Sequence, residues 1–188
     1  MCGSPLCGYV PRTLLNVPKG ERLHLRLRVR EREATLVKVR GESIQHVLMK
    51  GFLWALLLPN YPDAACEINV GHRYRPDVVA LSPTGGPLCW GECGAVTVEK
   101  LRALATEFPH THFAVAKWAH SDLSGYAEQL RTELALPPRS APFEILSIPD
   151  NAPDTFLTDD GQVELAREDL QILQLAELEE GSSDPQRS

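Results

Sequence analysis

Disulfides, secretion, membrane crossing and nucleotide hydrolysis all lack their usual marks in this sequence. Five cysteines (Cys2, Cys7, Cys66, Cys89, Cys93) form no C-x-x-C pair, and an odd number is a poor disulfide framework. Cys89 and Cys93 are expected as small buried residues in a reducing compartment. The first eleven residues lack the charged start and apolar core of a secretory leader. The most apolar run, residues 49–58, is too short to span a bilayer and contains Lys50. No internal repeat, Gly-rich phosphate loop or Gly-x-Ser-x-Gly elbow occurs, so nucleotide hydrolases and serine esterases lack support. A soluble intracellular protein, cytoplasmic in the simplest case, is expected.

What is present is a chain of 188 residues, enough for one domain with a substantial core. Its charge is uneven. Between Arg12 and Lys50, ten lysines and arginines stand against four glutamates. From Pro142 onward, two arginines stand against twelve acidic residues. The net charge of −6 argues against indiscriminate coating of nucleic acid, whereas a local basic face can still hold a phosphate backbone. The division expected is a flexible lead over residues 1–11, one domain over 12–176 and a disordered acidic tail over 177–188.

The most informative stretch runs from Tyr74 to Leu104 and reads as strand, tight turn, strand, helix. Its first arm is 74–81, its turn Ser82-Pro83-Thr84-Gly85-Gly86, and its second arm 87–92. With Thr84-Gly85 as the central turn residues, Leu81 faces Leu88, Val79 faces Trp90 and Asp77 faces Glu92. Both faces are apolar, as in central strands. Two carboxylates opposite one another in a buried sheet repel. A slipped register, a neutralising arginine such as Arg75, or a divalent cation between them would resolve the conflict. The cation is favoured, because hard cations take oxygen ligands.

Around this hairpin, strands are expected at 12–17, 23–30, 35–39, 66–70, 113–118 and 143–148. Residues 23–30 alternate strictly, with Leu23, Leu25, Leu27 and Val29 on one face and His24, Arg26, Arg28 and Arg30 on the other. That basic face is either solvated or a phosphate-contacting ribbon, with Arg26 and Arg28 as its candidates. Gly41-Glu42-Ser43 opens a buried helix that ends by Pro59, and His46 lies one turn in. Glu42 suits the helix dipole whatever else it does. His72, Arg73 and Arg75 either face a phosphate or pair with Glu67. Thr97 caps a helix striped by Leu101, Leu104, Ala105 and Phe108. Lys100 lies in its first turn, where a cation opposes the dipole, which points modestly to function. A helix is expected at 123–134, a loop at 149–161 and a last helix at 163–175. His110 and His112 form a His-x-His pair without an evident third ligand, a weak basis for zinc.

Pro76-Asp77, the hairpin, then Glu92-Cys93-Gly94 resembles the core of the PD-(D/E)XK nuclease superfamily, with the restriction-endonuclease-like fold. The third motif residue, usually lysine, falls on Gly94. Some branches carry that lysine on the following helix, as Lys100 would here, with Arg102 its nearest competitor. Together with Glu42 opening an earlier helix, the pattern is most similar to the YaeQ-like branch and covers roughly residues 39–118.

The resemblance implies an α/β fold with a central mixed sheet of four or five strands flanked by helices, and an N-terminal β extension. It implies phosphodiester hydrolysis, most simply of DNA. Asp77, Glu92 and the Cys93 carbonyl would hold Mg²⁺ or Mn²⁺, and Lys100 would orient water and steady charge. Glu42 would complete the shell, while Arg26, Arg28, Arg73 and Arg75 would contact nucleic acid. A catalytically silent descendant that only binds nucleic acid or a protein is the alternative.

Overall fold

The computed structural model describes residues 14–179, and they form an α/β fold. β1 (Leu23–Val29) and β2 (Arg32–Lys38) make an antiparallel hairpin whose turn places Arg30 at φ 53°. β1 turns Leu25 and Leu27 inward, as the alternation predicts. The strand expected at 12–17 is instead a single 3₁₀ turn at Leu14–Asn16, while Arg12 and Thr13 fall outside the described residues. β2 takes the place beside β1 because a two-residue turn joins them directly.

α1 (Ile44–Leu57) begins at Ser43, whose Oγ accepts a hydrogen bond from the His46 N–H at 3.2 Å. It is apolar nearly all round because it lies between two layers. Gly51 meets Leu27 of the hairpin on one side. On the other side Gly91 leaves room for Leu53, whose Cδ2 would lie 2.8 Å from a β-carbon there. No helix among the described residues is long and apolar enough to cross a membrane.

Six further strands form one sheet in chain order: β3 (Ala65–Cys66), β4 (Val78–Leu81), β5 (Pro87–Cys93), β6 (His112–Trp118), β7 (Phe143–Ile148) and β8 (Gln171–Gln174). β5, β6 and β7 run parallel and the outer pairings are antiparallel. The crossovers α2 (Val98–Glu107) and α3 (Leu123–Leu134) cover one face, over Trp90, Phe113 and Ile145. α1 covers the other, over Val78, Ala80 and Ala116. Parallel strands need such covered faces.

Several further expectations are corrected. The strand at 66–70 shortens to β3, and the first arm begins at Val78 rather than Tyr74. Val79 does face Trp90, but a bulge pairs Leu81 with Pro87 and leaves Leu88 exposed. The loop at 149–161 contains a short helix, α4 (Ala152–Phe156). The helix expected at 163–175 is a 3₁₀ turn, Arg167–Asp169, followed by β8. There the unpaired edge of β7 outweighs helical periodicity, since β8 satisfies its hydrogen bonds. Residues 177–179 of the expected tail join the body through hydrogen bonds from Arg139 N to Glu177 O and from Glu179 N to Arg139 O; residues 180–188 lie outside the described residues.

At the far end of the parallel strands, Glu144 is buried and held by three donors. Arg167 donates through Nη1 at 2.9 Å and Nη2 at 2.7 Å, and His112 through Nε2 at 3.0 Å. Tyr61 OH hydrogen-bonds His112 Nδ1 at 3.1 Å. Burial alone would raise the Glu144 pKa, but the His112 and Arg167 bonds prevail and hold it at about 2. A lowered carboxyl pKa stabilises the fold above the ordinary value of 4.5, and that contribution is lost as pH falls towards 2. Glu144→Gln should therefore lower stability at pH 7 by about 2 kcal/mol, less than for a fully buried pair because Arg167 is partly exposed. Urea unfolding at several pH values checks this, and a difference that persisted below pH 2 would remove the charge from the explanation.

Candidate functional site

Asp77 stands at the mouth of β4. Its N–H donates to Gly91 O at 3.0 Å, and its carboxylate Oδ2 accepts the Cys93 N–H at 2.8 Å. The side chain thus occupies a place that backbone pairing would fill in a longer strand. The Cys93 carbonyl is turned towards the same neighbour, because N–H and C=O of one strand residue point alike. The second oxygen, Oδ1, looks towards α1, with His46 Nε2 at 3.5 Å and Lys50 Nζ at 3.9 Å.

Lys50 gathers this half of the site. Its ammonium donates to Glu42 Oε1 at 2.7 Å and to Glu67 Oε1 at 2.6 Å, and the residue is only 5% exposed. Burial alone would lower its pKa, but the hydrogen bonds and charges of Glu42 and Glu67 outweigh it, so the pKa is raised. Glu42 precedes the helix cap, accepts the Val39 N–H at 3.2 Å and lies 3.7 Å from His46. Glu67 sits in the left-handed region at φ 58°, an uncommon conformation for a residue with a β-carbon.

The other half lies on the α2 side of the sheet. Glu92 shares its strand face with Trp90, and its Oε1 accepts Trp90 Nε1–H at 2.7 Å and Lys100 Nζ–H at 2.6 Å. Burial raises its pKa despite these donors, and the Asp77 charge adds to the rise. The Lys100 ammonium also lies 5.5 Å from the centre of the Tyr74 ring.

The predicted carboxylates are therefore divided between two lysines. Glu42 and Asp77 come together around His46 and Lys50, while Glu92 pairs with Lys100. Among the described residues, no group of three His, Cys, Asp or Glu side chains is spaced to hold a metal ion. Arg102 points away, donating to the Glu133 carbonyl on α3. Gly94 adopts φ 77°, and a β-carbon there would lie 3.5 Å from His46 Nδ1 and 3.6 Å from Met49 Cε, on the α1 side rather than near Lys100.

Arg26 pairs with Glu33 at 3.0 Å and Arg28 with Asp160, whereas Arg73 and Arg75 are exposed without an ion pair among the described residues. His110 bonds Ser140 and His112 bonds Glu144, so the His-x-His pair is divided between two partners.

Sequence reasoning missed Lys50 and Glu67 as site residues. His46 and Lys50 are spaced four apart and so share one face of α1, with Glu42 four residues before them at its entry, which was a usable signal. Glu67 had no such signal, because only folding brings its loop against α1.

The crystal structure of the YaeQ protein from Xanthomonas axonopodis pv. citri superposes on 81% of this chain and 90% of its own, at 12% identity and a TM-score of 0.53. The fold resembles that of a YaeQ protein. The YaeQ protein from Pseudomonas syringae aligns over 80% of this chain and 84% of its own, at 13% identity and a TM-score of 0.49. No family model and no curated protein matches the chain.

Two substitutions should move stability in opposite directions. Lys50→Met leaves Glu42, Glu67 and Asp77 without their shared cation and should cost about 2 kcal/mol, reduced from the fully buried case because Glu67 is part-exposed. Glu92→Gln should raise the Tm at pH 7. A raised carboxyl pKa means that ionisation opposes folding, so the gain appears above the ordinary value of 4.5 and fades below it. Thermal melts across pH check both, and a Glu92→Gln protein melting lower at pH 7 would contradict the burial argument.

Proposed function

We propose that this protein is a metal-dependent phosphodiesterase acting on nucleic acid, DNA in the simplest case, with a PD-(D/E)XK-type site displaced from its usual lysine position. The observation that carries the reading is Asp77, with one carboxylate oxygen anchored on the Cys93 N–H and the other turned to His46 and Lys50. It stands beside the carboxyl end of β5, where α/β sheets tend to place ligand sites.

By donor type alone Asp77, Glu92, Glu42 and the Cys93 carbonyl suit a hard divalent cation, since all present oxygen, although among the described residues no three such side chains are spaced to hold one and Glu92 is held apart by Lys100. Asp77, Glu92 and the carbonyl would hold Mg²⁺ or Mn²⁺, with Glu42 completing the shell. When bound, such an ion supplies Lewis-acid stabilisation of phosphate charge and a lowered pKa for water. The chain's own groups do the rest. Lys100, partly exposed beside Glu92, steadies negative charge on the phosphate oxygens. His46 Nε2 lies 3.5 Å from Asp77 and 3.7 Å from Glu42, where it can hydrogen-bond a ligand bound between them.

A second reading is favoured by the lysines themselves. Lys50 and Lys100 already neutralise these carboxylates, as a binding module without catalysis would require. Calorimetry with Mn²⁺ discriminates: the nuclease reading expects binding that Asp77→Asn abolishes without loss of fold, and absence of binding by the wild type would sink it. Lys100→Ala should lower turnover by about 10² while Mn²⁺ binding persists. Gly94→Lys should not restore it, because a side chain at 94 projects towards His46 and is strained at φ 77°.

A further inference from the structure

One exposed cation beside the Glu92 half of the site stands on an aromatic support. The Arg73 guanidinium lies over the Tyr74 ring, 4.6 Å from its centre. Tyr74 is fixed from beneath: its N–H donates to His72 Nδ1 at 3.1 Å, and the two rings meet at 5.5 Å. His72 is held in turn by Glu107 at 3.1 Å and packs edge-on against Trp90 and Phe108. Through Lys100 the ring adjoins Glu92 itself, since the ammonium lies 5.5 Å from Tyr74 and 2.6 Å from the carboxylate.

A guanidinium layered on a held aromatic ring offers a planar, charged face to a nucleobase, and an exposed arginine beside it offers a contact for phosphate. Arg75, exposed two residues on, is that second cation. In a continuous duplex the bases are stacked on one another and present no face to such a platform. In an unpaired strand they do, which is why single-strand-binding surfaces combine basic grooves with stacking side chains.

Resting on the nucleic-acid reading above, we propose that Arg73 and Tyr74 form a stacking platform that makes single-stranded nucleic acid, or an unpaired end, the preferred ligand of this site. Arg75 supplies the phosphate contact. Arg26 and Arg28, already paired with Glu33 and Asp160, contribute less.

Fluorescence anisotropy in EDTA tests this without cleavage, using a labelled single-stranded oligonucleotide, its blunt duplex and the same strand carrying abasic sites. The single strand should bind about tenfold tighter than the duplex, and Arg73→Lys or Tyr74→Ala should each lose about tenfold towards it. Arg73→Lys retains charge but not the planar face, so loss there separates stacking from simple attraction. Tyr74→Phe should bind as wild type, which guards against a Tyr74→Ala effect that merely reflects unfolding. The abasic strand should be insensitive to Arg73→Lys. Equal binding of strand and duplex, or full affinity in Arg73→Lys, overturns the platform while leaving nucleic-acid binding intact. If no nucleic acid binds, both readings fall. If single strands bind as expected but Mn²⁺ never induces cleavage, the platform stands and the enzymatic reading falls.

Discussion

A buried ammonium must find oxygen partners, and much of the candidate site follows from how Lys50 does so. Its neighbours on α1 are apolar, so unpaired it would be costly. It finds Glu42 in the loop before the helix, Glu67 in the loop after β3, and Asp77 just before β4. One side chain thereby ties three separate segments to the open end of the sheet. The uncommon backbone of Glu67 belongs to the same constraint, because its carboxylate reaches the ammonium from that conformation.

That arrangement depends on how closely α1 can approach its neighbours. Gly51 and Gly91 have no β-carbon, and atoms of Leu27 and Leu53 lie where one would stand. With larger residues the helix would stand off the sheet, and its polar face would move away from Asp77. The sheet also separates the site's charges. Lys50 and His46 reach Asp77 from α1, while Lys100 reaches Glu92 from α2, and the Asp77 carboxylate lies between them on the Cys93 N–H. The result is two lysine–carboxylate groups flanking one anchored aspartate.

Local pattern was a good guide wherever one element decided its own conformation. The capped helices at Ser43 and Thr97, the alternation of β1 and the helix at Leu123–Leu134 were all legible, because capping and amphipathic spacing act within a few residues. Pattern failed where a distant partner decided. β8 took a helical-looking segment because the edge of β7 required pairing. Leu81 slipped onto Pro87 because Ser82 and Gly86 are hydrogen-bonded to each other with three residues between them, so the turn is not centred on the pair Thr84-Gly85 as expected.

The candidate site divides along the same line. By itself the sequence determined that Asp77 and Glu92 lie on adjoining arms of one hairpin, that Glu42 precedes α1, and that Lys100 opens α2, since each depends on neighbours close in the chain. Only the tertiary structure decided that Lys50 gathers Glu42 and Asp77 while Lys100 takes Glu92, that Glu67 joins the Lys50 group from a separate loop, and that Arg73 and Arg75 are exposed while Arg26 and Arg28 are paired. Ion pairs between remote segments depend on which charged ends the packed core brings within a few ångströms, and nothing in the local spacing of residues encodes that distance.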